Sequence, residues 1–296
     1  MDSGYSPAWE NAMSFAWTDV LGRPGRALTW RHADPELVVV AVHGLSGAAE
    51  QFAPVAHGLS DCSVYALELA GQGWDPDPAR RGTRLDLDQQ LRNLDLFLEA
   101  VRSEVGGRPV VLLGESMGAL LAAAHAASRP ESPVSAFVHA VPVVALRRSV
   151  PRLVRRAVRW LGTVAPGLRT PPSVFVNGRT TSPPLTRDKA YQTALHHRPH
   201  RIPAFTFRFL AELGDLMDSS LTMAQGIHRP SLTLAAGADC FVRVDQIQTW
   251  HDAIPCPNKS LHIYPDAYHL LWHDWDRERV LQDLRNWLGK LRNSCC

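Results

Sequence analysis

Several features that define large classes of protein are missing from this sequence. Its 296 residues contain no uninterrupted apolar run that approaches the ~18 residues of a membrane-spanning helix. The N-terminus lacks the basic start and apolar stretch of a secretory signal. A formal net charge of only +2 gives no electrostatic reason to expect nucleic acid as a partner. These absences predict a soluble, cytoplasmic protein that does not bind nucleic acid.

Cysteine is scarce, and its spacing is irregular. The five cysteines form no C-x-x-C pair, so they suggest neither a zinc site nor a redox motif. We interpret them as free thiols, with Cys295 and Cys296 in a frayed C-terminal tail, and lipid attachment or cross-linking of that pair is the alternative. Nothing in the sequence requires a metal ion or an organic cofactor.

The composition is globular, 45% hydrophobic and 20% charged, and short apolar runs alternate with amphipathic stretches. That alternation is typical of a mostly parallel sheet covered by helices on both faces. Residues 14–19 and 27–32 predict an opening hairpin of two edge strands. The further predicted strands are 37–42, 64–67, 109–113, 134–139, 231–235 and 260–264. The predicted helices are 48–59, 85–105, 119–127, 245–253 and 276–292.

The alternation breaks between residues 142 and 228, where proline, arginine and short helical fragments replace it. No buried strand is predicted in this stretch. We therefore expect one core domain made from residues 1–141 and 229–296, interrupted by a cap at 142–228.

A pentapeptide of the G-x-S-x-G type, Gly114-Glu-Ser-Met-Gly118, directly follows one predicted strand and opens a predicted helix. In that context the serine occupies a sharp turn, whose crowded backbone requires glycine two positions to either side. The turn lifts the hydroxyl to the carboxyl edge of the sheet, which predicts that Ser116 is a nucleophile. Glu115 is either a proton carrier or an acid that satisfies helix-end N–H groups, and we favour the latter.

With this motif in place, the chain resembles the α/β-hydrolase superfamily over residues 13–290, and more narrowly its branch of monoacylglycerol lipases, lysophospholipases and serine aminopeptidase-like proteins. The resemblance implies an α/β-hydrolase fold, in which helices flank a mostly parallel central sheet and an inserted helical cap covers the site. The motifs that carry it stand in the expected order: His43-Gly-Leu45, Leu69-Ala-Gly-Gln-Gly73, 114–118, Gly237-Ala-Asp239 and Tyr264-Pro-Asp-Ala-Tyr-His269.

A serine hydroxyl needs a base to take its proton and an acid to orient that base. The resemblance implies that the acid, then the histidine, follow the serine along the chain. Asp239 and His269 fit this order, because each lies just beyond a predicted strand at the same sheet edge as Ser116. The alternatives are Asp245 and Asp252 for the acid, and His273 and His262 for the base.

The resemblance also implies an oxyanion hole, formed by the backbone N–H groups of Leu45 and Met117. His43 is then expected to fix that loop by a hydrogen bond and not to act as a second base. Three departures from the family's motifs leave the predicted triad intact and put only the substrate geometry in doubt: Glu68, Asp75 and Ala119.

The cap sequence bears on substrate choice, because the cap is expected to roof the active site. Six arginines between 147 and 159 interleave with apolar residues, as in a basic amphipathic helix. Such a helix can make a weak peripheral contact with an anionic membrane. Alternatively, its arginines face water while its apolar side packs on the body below, which we favour. Side chains that line an acyl tunnel or form the cap's own core are Trp160, Phe205, Phe209 and Leu213.

The sequence therefore predicts a serine hydrolase of carboxylic esters that forms an acyl-enzyme from monoacylglycerols, lysophospholipids or similar mono-acyl esters. An acyltransferase, a thioesterase or an aminopeptidase would use the same residues, and a ligand-binding protein without catalysis is the alternative from another class. The cluster His196, His197 and His200 is interpreted as a polar loop, because no cysteine or carboxylate set accompanies it as metal ligands.

Overall fold

An eight-stranded sheet lies at the centre of the protein, whose computed structural model describes residues 11–181 and 183–294. The strands, numbered along the chain, are β1 (Met13–Ser14), β2 (Trp17–Thr18), β3 (Pro24–Gly25), β4 (Ala27–Trp30), β5 (Leu37–Val42), β6 (Cys62–Leu67), β7 (Val110–Glu115), β8 (Val134–Ala140), β9 (Arg169–Thr170), β10 (Phe205–Thr206), β11 (Ser231–Ala236) and β12 (Lys259–Tyr264). The large sheet has the spatial order β1-β4-β6-β5-β7-β8-β11-β12. The strands from β6 to β12 in this order run parallel, and β1 and β4 complete one edge in antiparallel pairing.

Helices connect these strands and cover both faces of the sheet. Short 3₁₀ turns occupy Ala49–Phe52, Pro78–Arg80 and Leu271–His273. The α-helices are α1 (Ala53–Gly58), α2 (Leu87–Glu104), α3 (Met117–Ser128), α4 (Arg152–Val164), α5 (Ser173–Asn177), α6 (Lys189–His196), α7 (Phe207–Asp218), α8 (Ser220–Gln225), α9 (Val244–Asp252) and α10 (Arg277–Ser294). The strands and the helices predicted from the sequence are thus confirmed, with their ends displaced by a few residues, and β12 at the edge of the sheet is only partly buried.

Strand β5 shows why the centre of the sheet is so apolar. All six of its residues are buried, because successive side chains point to opposite faces and both faces are covered. Val38 and Val40 pack into the core that α2 and α3 close, whereas Val39 packs into the core beneath α1 and α10. Each such side chain stabilises the fold by about 1.5–3 kcal/mol.

The opening hairpin is more broken than the sequence predicts. Met13 and Ser14 pair with β4, but Trp17 and Thr18 form a separate ladder with β3. Phe15 lies between them and turns inward, where its ring meets Phe97 of α2 at 5.6 Å. The predicted edge strand is therefore divided into two short pieces on either side of Phe15.

Residues 142–228, which we call the insert, leave the sheet between two neighbouring strands. β8 and β11 pair directly, with Phe137 opposite Ser231, so the chain returns to the point that it left. The insert contains α4 to α8 and a two-residue ladder between β9 and β10. The expectation of no buried strand here is wrong for Phe205–Thr206, which is too short to show a strand pattern in the sequence.

Two other predictions can be compared with the described residues. No helix within 11–181 or 183–294 combines the length and the apolar character that a membrane span needs. Cys62, Cys240 and Cys256 are free thiols. Cys295 and Cys296 lie outside the described residues.

Candidate active site

The loops that follow three parallel strands meet at one edge of the sheet. β7 ends at Glu115, β11 at Ala236 and β12 at Tyr264. Because β7, β8, β11 and β12 are consecutive parallel neighbours, their carboxyl ends lie side by side. This is the place where open α/β sheets hold their ligands.

Ser116 occupies a strained turn between β7 and α3. Its backbone has a positive φ of 57° with ψ of −116°, a conformation that only a strongly constrained structure maintains for a non-glycine residue. The flanking glycines are required sterically. A Cβ atom on Gly114 would lie 2.2 Å from the carbonyl oxygen of Gly118, and one on Gly118 would lie 2.1 Å from that of Val42.

The turn brings Ser116 into a chain of hydrogen bonds with two distant residues. Nε2 of His269 lies 2.9 Å from Oγ of Ser116, and Nδ1 of His269 lies 2.7 Å from Oδ2 of Asp239. With Nδ1–H donating to the carboxylate, Nε2 accepts from the serine hydroxyl. The other carboxylate oxygen of Asp239 accepts from the backbone N–H of Phe241 at 2.6 Å. The structure thus brings together the three residues that the sequence predicts as a triad.

The charges around these three hydrogen-bonded residues make the imidazole of His269 more basic. His269 and Asp239 are buried, and Ser116 nearly so. Burial alone would lower the pKa of His269, but the charge and hydrogen bond of Asp239, together with the charge of Glu115, outweigh burial and raise it. The arrangement is therefore suited to removing a proton from Ser116.

The two residues predicted to form an oxyanion hole line the same cavity as Ser116. Met117 opens α3, and Leu45 lies on the loop after β5; both line the cavity into which Ser116 opens. His43 holds this second loop, because its Nδ1–H donates to Gly44 O at 2.9 Å and its Nε2 accepts from Leu69 N–H at 3.1 Å. The expected role of His43 in fixing the loop is confirmed.

Ser116 and His269 open into a cavity of about 460 Å³. One group of lining side chains is apolar and comes largely from the insert: Val143, Leu146, Val158, Leu210, Leu213 and Met217. A second group is polar or basic: Ser46, Gln51, Gln192, Arg198, His200 and Arg201. The cavity therefore offers both an apolar and a polar environment beside the same serine.

Comparison with known proteins places this site in a family. The family model described as serine aminopeptidase, S33 (Hydrolase_4) matches residues 33–276. The chain belongs to this family.

Two curated relatives match this α/β-hydrolase over most of its length. A monoacylglycerol lipase of Mycolicibacterium smegmatis is 27% identical over 264 residues, which cover 86% of this chain and 89% of the relative. Phospholipase YtpA of Bacillus subtilis is 22% identical over 260 residues, 87% of this chain and 96% of the relative. The predicted branch of the superfamily and the predicted class, a carboxylic ester hydrolase, are confirmed.

Solved structures confirm the predicted fold. A soluble variant of monoglyceride lipase from Saccharomyces cerevisiae aligns with a TM-score of 0.83 at 18% identity, over 98% of this chain and 99% of its own. The monoacylglycerol lipase of Paleococcus ferrophilus aligns with a TM-score of 0.75 at 20% identity, over 95% and 99% of the two chains. At these identities the likeness shows the α/β-hydrolase fold.

The four predicted pocket residues divide into two pairs. Phe205 and Leu213 line the cavity of the α/β-hydrolase. Phe209 does not, because it is buried behind Phe205, with the two ring centroids 4.7 Å apart. Trp160 is 63% exposed, because it lies two residues, or about 200° around the helix, from the buried Val158. Phe209 thus fits the alternative expectation, a side chain that packs in a core, whereas Trp160 neither lines the cavity nor is buried.

The alternative acids and bases weighed from the sequence lie in other surroundings. Nε2–H of His273 donates to Gln51 O at 2.9 Å, and burial lowers the pKa of His273 to about 3. His262 lies within β12, with its Nδ1 3.3 Å from Oδ2 of Asp283. Asp245 pairs with Arg243 on the surface.

Glu115 differs from the role expected for it. Its carboxyl group is buried, lines the cavity, and leaves Oε1 without a hydrogen-bond partner. It therefore does not cap α3, as the preferred interpretation of the sequence would have it. Burial raises the pKa of Glu115 to about 7, although the charges of His269 and His43 oppose the rise.

A polar cluster beside the cavity was not predicted. Oε2 of Glu50 accepts from Trp74 Nε1 at 3.2 Å. Its Oε1 lies 3.9 Å from Nη1 of Arg198 and 3.8 Å from Nδ1 of His200, and neither nitrogen has a hydrogen-bond partner. Burial lowers the pKa of His200 to about 4. These two nitrogens, on residues that line the cavity, lack the hydrogen-bond partner that buried polar atoms usually have.

The histidines around position 200 do not assemble a metal site. Within the described ranges there is no group of three or more histidine, cysteine, aspartate or glutamate side chains that could hold a metal ion. His200 faces Glu50, whereas His196 contacts Gln192 on its own helix.

Proposed function

We propose that this α/β-hydrolase is a serine esterase in which Ser116 is the nucleophile, His269 the general base and Asp239 the acid that orients the base. The observation that carries the proposal is the unbroken pair of hydrogen bonds, 2.9 Å and 2.7 Å long, that joins these residues at the wall of the cavity. A nucleophilic serine requires a base that takes its proton and an acid that orients the base, and these two hydrogen bonds connect Ser116 to both.

In the first half of the proposed reaction, Oγ of Ser116 bonds to the ester carbonyl carbon while its proton passes to Nε2 of His269. The carbonyl oxygen becomes an oxyanion, which the backbone N–H groups of Leu45 and Met117 stabilise. The imidazolium then gives its proton to the departing alcohol oxygen. The bond from that oxygen to the carbonyl carbon breaks, and the acyl group stays on Ser116.

In the second half, His269 takes a proton from a water molecule whose oxygen attacks the acyl carbon. Collapse of this second tetrahedral intermediate releases the carboxylic acid and returns the proton to Ser116. Asp239 stays ionised throughout, keeps the proton on Nδ1 of His269, and stabilises the imidazolium.

The substrate class that we propose is a mono-acyl ester with a polar headgroup, such as a monoacylglycerol or a lysophospholipid. The two curated relatives, a monoacylglycerol lipase and a phospholipase, support it. So does the cavity, whose apolar side chains suit an acyl chain. The unsatisfied nitrogens of Arg198 and His200 beside Glu50 suit headgroup oxygens.

The charge of the cavity favours an esterase over an aminopeptidase. An aminopeptidase would need an anionic anchor for the substrate's ammonium group. The wall instead carries six arginines, and the lining acids are Glu115, which burial keeps from ionising readily, and Asp218, which is paired with Arg155. A cationic substrate group would meet net repulsion here.

We further propose that the insert acts as a cap and rests on an anionic membrane through α4. Leu153, Trp160 and Val164 repeat along one side of this helix and are 76%, 63% and 55% exposed. The interpretation that we favoured from the sequence, in which this apolar side packs on the body, is therefore wrong. Arg155 and Arg159 instead form exposed ion pairs with Asp218 and Asp215 of α7.

Charge complementarity supports the membrane as the partner. Arg152 and Arg156 line the mouth of the cavity and have no carboxylate partner among the described residues. An exposed apolar stripe flanked by unpaired arginines is the pattern of a helix that lies in a lipid interface. A membrane in contact with α4 would present its lipids directly to the cavity.

The experiment that tests the esterase is Ser116→Ala, with turnover of p-nitrophenyl and monoglyceride esters of matched chain lengths. We expect loss by several orders of magnitude, and a fluorophosphonate that labels the wild type should leave the variant unlabelled. Ser103→Ala, on the exposed side of α2, is the matched control. Retention of most ester turnover by Ser116→Ala would sink the assignment, and a wild type inert to both reagents would favour a ligand-binding protein.

A separate experiment tests whether α4 binds an anionic membrane. Sedimentation with anionic phospholipid vesicles is expected to retain the wild type, and to lose the double variant Leu153→Ser, Trp160→Ser. Leu21→Ser removes an apolar side chain of similar exposure far from α4, and should change nothing. Equal retention of all three proteins, or binding to zwitterionic vesicles alone, would contradict it.

A further inference from the structure

A short piece of the insert crosses the loop that carries His269. This loop, residues 265–276 between β12 and α10, we call the His269 loop. The backbone N–H of Leu270, the residue after His269, donates to Leu185 O at 2.9 Å. The hydroxyl of Thr186 donates to His273 O at 2.6 Å. The insert is thus fastened to the backbone immediately beside the catalytic histidine.

Asp274 is the centre of this contact. Its carboxylate has no exposed surface. Oδ2 accepts from the backbone N–H of Tyr268, the residue before His269, at 2.5 Å. Oδ1 accepts from Nε of Arg187 at 2.9 Å and from Trp275 N–H at 2.8 Å. One buried group therefore ties both ends of the turn around His269 to the insert.

Arg187 provides the positive charge that stabilises the buried carboxylate of Asp274. Besides Asp274, it reaches Asp276 with Nη2 at 2.5 Å and lies over the ring of Trp275 at 5.2 Å. A carboxylate removed from water is strongly destabilising when it loses its cationic partner. The shape of the His269 loop is therefore linked to the position of Arg187, which belongs to the insert and not to the sheet.

We propose that Arg187 and Asp274 are positioning residues that hold the imidazole of His269 between Ser116 and Asp239 and make its placement depend on the insert. Neither side chain contacts Ser116 or Asp239, so they act only through the loop. The inference rests on the proposed function for the role of His269 as a base. Its physical basis is that a misplacement of about 1 Å in a catalytic group lowers the rate by about 100-fold.

The test compares Arg187→Gln with Arg92→Gln, which breaks a surface ion pair with Asp88 on α2. For Arg187→Gln we expect kcat to fall about 10- to 100-fold while KM stays within about threefold, because the base is displaced and the cavity is not. Fluorophosphonate labelling of Ser116 should slow by the same factor. Arg187→Ala should regain rate when guanidinium is added at a non-denaturing concentration, whereas Arg92→Gln should match the wild type throughout.

A spectroscopic measurement separates this inference from the proposed function. The proton shared by His269 and Asp239 is expected to give a low-field NMR resonance, which Arg187→Gln should broaden or shift and Asp239→Asn should abolish. This resonance reports the placement of the imidazole without any substrate. If Ser116→Ala kept its activity, the proposed function would fail, and the resonance would still decide whether Arg187 positions His269.

Two results would overturn the inference: an Arg187→Gln protein with the wild-type resonance and wild-type labelling rate, or a rise in KM alone. Should Arg187→Gln fail to fold, Arg187→Lys keeps a cation beside Asp274 but loses the forked contact with Asp276. Slower labelling of that variant at an unchanged Tm supports positioning, and unchanged labelling contradicts it.

Discussion

Glu115 acts on His269 through its charge, although the two residues are 154 positions apart in the chain. The carboxyl group is fully buried at the end of β7, and its ionised form contributes to raising the pKa of the imidazole. Burial raises the pKa of Glu115 itself to about 7, against the charges of His269 and His43. The candidate base therefore has a second carboxyl neighbour whose ionisation changes near neutral pH.

Replacing this neighbour should move the pH dependence of ester hydrolysis. Glu115→Gln keeps the shape of the side chain and removes the negative charge that favours protonated His269. The pKa of His269 should fall, so the neutral base persists to lower pH and the acid limb of the kcat/KM profile shifts downward. The wild-type limb, in which two groups titrate together, should also be broader than that of the variant.

The measurement is kcat/KM for one soluble ester from pH 5 to pH 9. Glu99→Gln, which changes an exposed carboxylate on α2, is the control and should retain the wild-type profile. An unchanged or upward-shifted limb in Glu115→Gln would show that the two groups do not interact through charge.

The same substitution should alter how stability depends on pH. In the folded protein, burial raises the pKa of the Glu115 carboxyl group from 4.5 to about 7 because it disfavours the charged form. The stabilising contribution of this group is therefore complete below pH 4.5 and is lost as the pH rises through 7. That difference in pKa corresponds to about 3 kcal/mol. Between pH 5 and pH 8, Glu115→Gln should gain roughly this much free energy of unfolding relative to the wild type, measured by urea denaturation. Parallel curves at the two pH values would contradict the buried, titrating carboxyl.

The sequence predicts the hydrogen-bonded triad because each of its members follows a predicted strand. Ser116 follows a continuous apolar strand and opens a helix of small residues, and Asp239 and His269 each follow a strand of the same parallel sheet. Parallel strands place their carboxyl ends at one edge, so these local patterns, together with the chain order that the family resemblance implies, predict the long-range contact.

The remaining site residues depend on contacts that no local pattern records. Glu50 meets His200, and Arg187 meets Asp274, only because the insert folds back over the sheet edge. The amphipathic pattern of α4 likewise predicts a helix but not which side faces inward. In this protein Arg155 and Arg159 pair with Asp218 and Asp215 of α7 at the surface, and Leu153 and Trp160 face solvent.

Asp239→Asn should separate the proposed acid from its alternative, Asp245. An asparagine amide would donate to Nδ1 of His269, which forces the ring proton onto Nε2 and leaves no acceptor for the hydroxyl of Ser116. We expect kcat to fall on the order of 10³- to 10⁴-fold, with fluorophosphonate labelling slowed in proportion. Asp245→Asn breaks only a surface pair with Arg243 and should leave both rates unchanged. Equal losses in the two variants would remove Asp239 from the triad.

Arg198→Gln should weaken recognition of the headgroup and spare the chemistry. Arg198 lines the cavity, and its Nη1, 3.9 Å from Oε1 of Glu50, lacks a hydrogen-bond partner. A hydrogen bond from this cation to a headgroup oxygen would contribute about 1.5–3 kcal/mol, so KM for a monoglyceride or lysophospholipid should rise about 10- to 100-fold. The p-nitrophenyl ester of the same acyl chain has no such headgroup, and its KM and kcat should stay near the wild-type values. Arg179→Gln, an exposed change outside the cavity lining, is the control. If Arg198→Gln slowed both esters equally, Arg198 would be maintaining the structure of the site and not binding the headgroup.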